Sequence, residues 1–147
     1  MDRRHLISRI DYSEHTNAKM KVMRRLPERA LIIRSPHIEK VLVGTETWEI
    51  RTRSTNIRGP IALIRSRSGL VVGTCELIDV KGPLRYAEFR DNARKWGGKS
   101  SDVARADHFR YYAWVLRGAK ELRTPVRYRH PAGAITWVRL MPKVLRG

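Results

Sequence analysis

The sequence predicts a small α+β protein in which short, mostly antiparallel strands form a barrel with helices packed around it. Its apolar segments are short, and glycine- or proline-containing turns separate them. Two further segments carry apolar residues at helical spacing, and no internal repeat is present. The resulting order is strand, helix, several strands, helix and two strands, which is typical of a small barrel with flanking helices.

The composition fits one domain that attracts polyanions. The chain has 147 residues, of which 41% are hydrophobic, enough to build a core. Its 31 Lys and Arg residues against 14 Asp and Glu residues give a formal net charge of +17. Such a surface favours RNA or DNA as partner, then an anionic membrane, with a merely solvated basic surface as the alternative.

Several classes of protein are disfavoured. No segment approaches the roughly 18 apolar residues that a membrane-spanning helix needs, so we expect a cytoplasmic protein without membrane contact. Cys75 is the single cysteine, which excludes an internal disulfide and a cysteine-based zinc site. It lies in the apolar run VVGTCELI and is predicted to be a small core residue. Histidines are scattered without metal-site spacing, and we expect neither a metal nor a cofactor.

The chain divides into a basic arm, residues 1–28, and a folded domain, residues 29–147. The arm has mixed charges and few apolar residues, and these apolar residues follow neither a helical nor a strand period. It is therefore predicted either to be disordered or to lie over the domain. Pro27 marks its end.

The first elements of the domain are a strand over residues 30–35 and a helix over residues 36–44. Ser35 is a predicted N-cap, Pro36 suits the first helical turn, and Gly44 is the predicted stop. The helix should bury one face, formed by Ile38, Val41 and Leu42. In the following strand, TWEIRTR, alternation places Trp48 and Ile50 on a core face and Glu49, Arg51 and Arg53 on a charged face. That charged face borders either water or a cleft.

The next segment, IALIRSRSGLVVGTCELIDV, predicts a hairpin with its turn at Ser66-Arg67-Ser68-Gly69, entered at Gly59-Pro60 and left at Gly82-Pro83. A helix is predicted over residues 84–97, with Tyr86, Phe89 and Ala93 at helical spacing, and a looser helical turn over residues 101–107. Strands YYAWVL and ITWVRL follow. They are separated by predicted turns at Thr124-Pro125 and at residues 130–133.

The arrangement from residue 30 onward resembles the ASCH (activating signal cointegrator homology) domain family. That family's signature, Gly-x-Lys-x-x-Glu-x-Arg after a first strand and helix, is matched here by Gly44, Glu49 and Arg51. The segment YYAWVLRGAKEL, the His-Pro-x-Gly turn and ITWVRL resemble the closing strands of small bacterial members. The resemblance spans roughly Ala30 to Leu140. It implies a PUA-like barrel with a cleft lined by the signature strand.

The resemblance also implies a connection with RNA. Some members bind RNA, one subgroup deacetylates acetylated cytidine nucleosides, and another cleaves single-stranded RNA. This chain carries Glu46 where the signature has lysine, and Glu49 where the deacetylating subgroup has threonine. A lysine amine with a lowered pKa beside a hydroxyl cannot be reproduced by two carboxylates, which ranks deacetylation third, after RNA binding and RNA cleavage.

Three hypotheses stand beside deacetylation. The first is binding of RNA, single-stranded or not, or of DNA, through a basic cleft where Arg51 and Arg53 hold phosphate and Glu49 reads a base. The second is a ribonuclease whose candidate catalytic residues are Glu49, Arg51, His130 and Ser35. The third is a non-enzymatic interaction module whose arm docks on an acidic protein. A structural salt bridge between Glu49 and Arg51 is the alternative to any role in binding.

The predicted nucleic-acid-binding residues combine a row of arginines with one indole. Arg65 and Arg67 are expected to alternate on one strand face and to extend the row. Trp96 lies among cations and is either an exposed base-stacking residue or a helix-end residue folded onto the barrel. Trp48, Trp114 and Trp137 are predicted to be core residues. The full set is Arg34, Glu49, Arg51, Arg53, Arg58, Arg65, Arg67, Trp96 and Lys99.

Overall fold

The computed structural model of the protein describes residues 17–18, 20–98 and 110–140. The strands in these ranges are β1 (Arg29–Ile33), β2 (Trp48–Arg51), β3 (Gly59–Arg65), β4 (Leu70–Lys81), β5 (Tyr112–Arg127) and β6 (Trp137–Arg139). Short helices α1 (His37–Leu42), α2 (Tyr86–Asp91) and α3 (Ala93–Trp96) flank them, and residues 20–25 are also helical. The predicted helical turn at residues 101–107 lies outside the described ranges.

The strands form one six-stranded mixed sheet in the order β2-β5-β4-β3-β1-β6. β1 runs parallel to β3, and the other pairs are antiparallel. The sheet is curled into a half-barrel, with β2 at one edge and β6 at the other. The predicted α+β class is confirmed, and the mostly antiparallel strands form a half-barrel with flanking helices.

Strand β1 is buried on both faces, which explains its continuous apolar sequence. Leu31 and Ile33 belong to a core cluster with α1 and Trp114. Ala30 and Ile32 point to the opposite face, where they pack with Met23 and Leu26. The end of the predicted arm thus lies against the sheet. The arm–domain boundary at residue 28 stays a prediction.

Several local predictions hold. Helix α1 buries Ile38, Val41 and Leu42, and residues 66–69 form the turn between β3 and β4. Cys75 is buried in the core, and burial raises the pKa of its thiol to about 12, which keeps it protonated and unreactive. None of the helices in the described ranges is long and apolar enough to cross a membrane.

The predicted turn at Thr124-Pro125 is wrong, because both residues lie within β5. The register between β4 and β5 shifts there: Gly73 pairs with Glu121, whereas Val71 pairs with Val126. The extra residues of β5 are accommodated in this irregularity, where a proline without an N–H group is tolerated. Thr124 and Pro125 thus mark an irregularity in the strand pairing, but β5 remains paired with β4 beyond it.

The single helix predicted over residues 84–97 is two short helices. Asn92, with φ −109° and ψ 20°, separates α2 from α3, and its side-chain amide donates to the carbonyl of Glu88 at 2.7 Å. Tyr86 is exposed, whereas Phe89 is buried. The break turns α3 so that Trp96 packs onto Phe89, with ring centroids 4.3 Å apart.

Candidate nucleic-acid interface

A cleft of about 1070 Å³ opens along the seam where the curled sheet does not close. All four residues of β2 line it from one side. The other side of the cleft is formed by Ile32 in β1, by Arg34 just after β1, and by Ala134 and Ile135 in the segment before β6. The cleft therefore lies between the edge strand β2 and the part of the chain formed by the end of β1 and the segment before β6.

Arg51 joins the two sides of this seam. Its Nε donates to Glu49 Oε1 at 3.1 Å, and its Nη2 donates to the main-chain carbonyl of Ile32 in β1. The guanidinium lies over the ring of Trp114, 5.6 Å from its centroid. Only one-fifth of the side chain is exposed, at 20%. Arg51 therefore uses its guanidinium for contacts within the protein that hold the two sides of the cleft together, and its predicted phosphate contact stays a prediction.

Glu49 is the charged acceptor in the cleft wall. Its side chain is 12% exposed, and Arg51 occupies one of its oxygens. Burial raises the pKa of the Glu49 carboxyl, and the charge of Arg51 opposes that shift only in part. Oε2 makes no hydrogen bond to another residue in the described part of the chain. A ligand that brings N–H donors to this oxygen would relieve the desolvation of the carboxylate.

A histidine–carboxylate pair, which the sequence did not predict, lies beside Glu49. His37 Nδ1 is 2.9 Å from Glu46 Oε1 and 3.0 Å from Oε2. The Glu46 side chain is only 1% exposed, while that of His37 is 45% exposed and lines the cleft. An ionised carboxylate can only accept, so Nδ1 carries the hydrogen and Nε2 is left for a ligand. Burial raises the pKa of Glu46, while the hydrogen bond and charge of His37 oppose this shift.

The backbone around Glu46 fixes this pair. Its N–H donates to the carbonyl of Lys40 at 3.2 Å, and the N–H of Thr47 donates to that of Lys95 at 2.9 Å. Gly97, with φ +71°, packs directly on the Glu46 carboxylate, where an added Cβ would overlap Oε1. The sequence signal for this site was the position of Glu46, two residues before the buried Trp48 of β2. Its partner His37 could not be predicted from the sequence, because a turn at Gly44 separates Glu46 from the helix that carries His37.

Three cations lie at the rim of the cleft without an ion pair among the described residues. Arg34 follows β1, Lys40 lies on α1, and Arg67 lies in the β3–β4 turn with φ 65°. All three are exposed. The Glu49 and Glu46 side chains are only 12% and 1% exposed, so the positive charge of the cleft faces solvent while its carboxylates are buried.

Other predicted arginines do not line the cleft. Arg53 is exposed beyond the end of β2, and its carbonyl accepts a hydrogen bond from Trp114 Nε1 at 2.9 Å. Arg58 donates to the carbonyls of Thr55 and Ile57. Arg65 pairs with Glu39 at 3.2 Å. The expected alternation of Arg65 and Arg67 on one strand face is wrong, because β3 ends at Arg65. Lys99 lies outside the described residues.

Two candidate catalytic residues are committed elsewhere. Ser35 does not cap α1; its hydroxyl donates to Glu39 Oε1 at 2.6 Å, outside the cleft. His130 lines the cleft, but its Nε2 donates to the carbonyl of Ala134 at 2.9 Å. Its Nδ1 therefore accepts from the Tyr128 hydroxyl at 2.8 Å. With both ring nitrogens used, His130 holds its turn and has no free nitrogen for proton transfer.

Trp96 takes the second of its two predicted arrangements. It is buried, it stacks on Phe89, and its Nε1 donates to the Phe89 carbonyl at 2.8 Å. The exposed base-stacking arrangement is therefore wrong. Trp48 and Trp114 are buried as predicted, and Trp137 stacks on Trp114 with centroids 5.7 Å apart. No cluster of His, Cys, Asp or Glu within the described ranges could hold a metal ion.

Comparison with solved structures decides the fold. ASCH from Zymomonas mobilis superposes with a TM-score of 0.62 at 13% identity, over 80% of this chain and 91% of that chain. The chain has an ASCH-type fold. Two substituted forms of that protein, a serine-to-alanine and a tyrosine-to-phenylalanine variant, are also similar. The first gives a TM-score of 0.60 at 15% identity over 79% of this chain and 92% of that chain. The second gives 0.56 at 16% identity over 67% and 74%.

No protein-family model matches the chain, and no curated protein matches it at a significant level. Within the ASCH-type fold of this chain, the signature strand β2 lines the cleft. The position where the resemblance expects lysine holds Glu46, which is buried and bound to His37. A lysine base is therefore missing from that position.

Proposed function

We propose that the protein binds single-stranded RNA and holds a nucleotide in the cleft. The observation that carries this proposal is the separation of charge within the cleft. Arg34, Lys40 and Arg67 line the cleft as exposed side chains, whereas the Glu49 carboxylate lines it from β2 and is only 12% exposed. A nucleotide has the matching division, with an anionic phosphate at one end and N–H donors on its base. The net charge of +17 supports a polyanionic partner.

Binding should weaken with salt to an extent set by the rim cations. Three neutralised phosphates on a single strand give a slope of log K against log salt of about −2. Fluorescence anisotropy with a labelled single-stranded RNA, repeated over a salt series, measures this slope. A DNA strand of the same sequence serves as the comparison. Affinity independent of salt would contradict the proposal.

A second candidate function, cleavage of the bound RNA, is favoured by the His37–Glu46 pair. In this route, His37 Nε2 takes the proton of the 2′-hydroxyl, and the O2′–P bond forms as the P–O5′ bond breaks. The departing 5′-oxygen takes a proton from water, which leaves a 2′,3′-cyclic phosphate and a 5′-hydroxyl. Arg34 and Lys40 would stabilise the charge on the phosphoryl oxygens. The substrate supplies its own nucleophile, so no serine or cysteine is needed.

Cleavage is tested with end-labelled RNA and the variant His37→Ala. We expect cleavage to fall at least about a hundredfold while RNA retention persists, because a positioned general base typically contributes that much. His130→Ala is the matched control, since it removes a cleft histidine that has no free ring nitrogen. Intact RNA with the natural chain, or equal cleavage by His37→Ala, would exclude this candidate and leave RNA binding in place.

A further inference from the structure

We propose that Glu49 is a base-reading residue and that the base it selects is guanine. This inference rests on the proposed RNA binding and specifies which nucleotide the cleft takes. It depends on the position of one carboxylate and on the chemistry of the four base edges. The Glu49 carboxylate is bound to Arg51 and is little exposed, and both features restrict which hydrogen-bond donors it can accept.

The orientation of Glu49 is fixed before any ligand arrives. Arg51 donates to Oε1 at 3.1 Å and is itself anchored to the carbonyl of Ile32. The carboxylate therefore cannot rotate freely, and little order is lost when a base binds. Oε2 has no hydrogen-bond partner among the described residues, and the side chain lines the cleft. The site thus offers charged acceptors in a fixed position.

Guanine is the base whose edge complements such acceptors. Its Watson–Crick edge places the N1–H and N2–H donors side by side, so one can donate to Oε2 and the other to the second lone pair of Oε1, whose first lone pair accepts from Arg51. Adenine and cytosine each put a ring nitrogen acceptor beside their amino group, and that acceptor would meet the negative charge of Glu49. Uracil has one N–H between two carbonyl oxygens. Because the side chain is only 12% exposed, water cannot easily screen these mismatches.

The neighbouring Glu46 carboxylate does not compete with Glu49 for the base. Both oxygens of Glu46 lie within hydrogen-bond distance of His37, and its side chain is 1% exposed. A base therefore cannot reach the Glu46 carboxylate directly. Glu49 is therefore the cleft carboxylate that a base can reach, and the exposed rim cations contact phosphate, which all four nucleotides share.

The test uses short uridine-rich single-stranded RNAs with one variable nucleotide. With the natural chain, guanosine should bind best. Inosine, which lacks the N2 amino group, should bind roughly tenfold more weakly, because one hydrogen bond to a charged acceptor is lost. This comparison needs no substitution and so does not depend on the folding of a variant. Equal affinity for guanosine, inosine and adenosine would overturn the inference, while salt-dependent binding would keep the proposed function.

The variant Glu49→Gln provides the second arm. A glutamine amide offers one acceptor and one donor, which matches N6–H and N1 of adenine as well as N4–H and N3 of cytosine, so guanosine should lose its advantage over adenosine and cytidine. Glu76→Gln is the control, because Glu76 pairs with Arg117 on the exposed surface. An unchanged guanosine preference in Glu49→Gln would overturn the assignment. Absence of RNA binding by the natural chain would overturn the proposed function together with the inference.

Discussion

Replacing Arg51 with alanine should lower the free energy of unfolding by about 3 kcal/mol. The substitution removes charge-assisted hydrogen bonds to Glu49 and to the carbonyl of Ile32, and it leaves the poorly exposed carboxylate without its cation. It also removes the side chain that links β2 to β1 across the open seam. Urea denaturation followed by tryptophan fluorescence measures the loss.

Arg53→Ala is the matched control for this prediction. Arg53 lies two positions further along, its side chain is exposed, and it has no ion pair among the described residues. We expect a change of less than about 0.5 kcal/mol for it, as for an ordinary surface substitution. If both variants lost the same small amount, Arg51 would not link the two edges of the sheet.

Gly97→Ala should destabilise the protein by about 3 kcal/mol for two separable reasons. The φ of +71° is unfavourable by about 1 kcal/mol for any residue with a Cβ. The new Cβ would also overlap the Glu46 carboxylate, which must move away from His37 within a buried site. The loss of the His37–Glu46 pair should accompany the loss of stability.

Gly133→Ala separates the two contributions. Gly133 has φ +78°, but an added Cβ there meets nothing within 4 Å, so this variant carries the backbone term alone. Denaturation of Gly97→Ala, Gly133→Ala, Glu46→Ala and the double variant Gly97→Ala/Glu46→Ala completes the comparison. We expect Gly97→Ala to cost less in the Glu46→Ala background. Equal losses for the two glycine variants would contradict a close contact between Gly97 and Glu46.

The sequence predicted those parts of the fold that depend on local patterning. Alternation in β2 correctly assigned Trp48 to the core and Glu49 to the opposite face, and helical spacing gave the buried face of α1. It did not predict the length of β5. A Thr-Pro pair signals a break locally, whereas continued pairing with β4 across a register shift is decided by the tertiary structure.

The cleft was only partly predictable for a similar reason. Glu49 and Arg51 came from the signature and do line the cleft. Arg53 and Arg65 carry the same guanidinium group but do not line the cleft. Arg53 lies beyond the end of β2, and Arg65 pairs with Glu39. The pairing of His37 with Glu46 was missed because it depends on how α1 is positioned against the start of β2. No periodicity in the sequence reports that geometry.

The cleft as the place where RNA binds is tested most directly by two matched charge reversals. Arg34→Glu/Arg67→Glu changes the rim of the cleft, and Arg53→Glu/Arg58→Glu changes two exposed arginines outside it. Both double variants remove the same positive charge, so long-range attraction falls equally. Anisotropy with one labelled single-stranded RNA at fixed salt should show at least about a tenfold greater loss of affinity for the rim variant. Equal losses for the two variants would mean that RNA is attracted by net charge alone, and that the cleft is not its binding site.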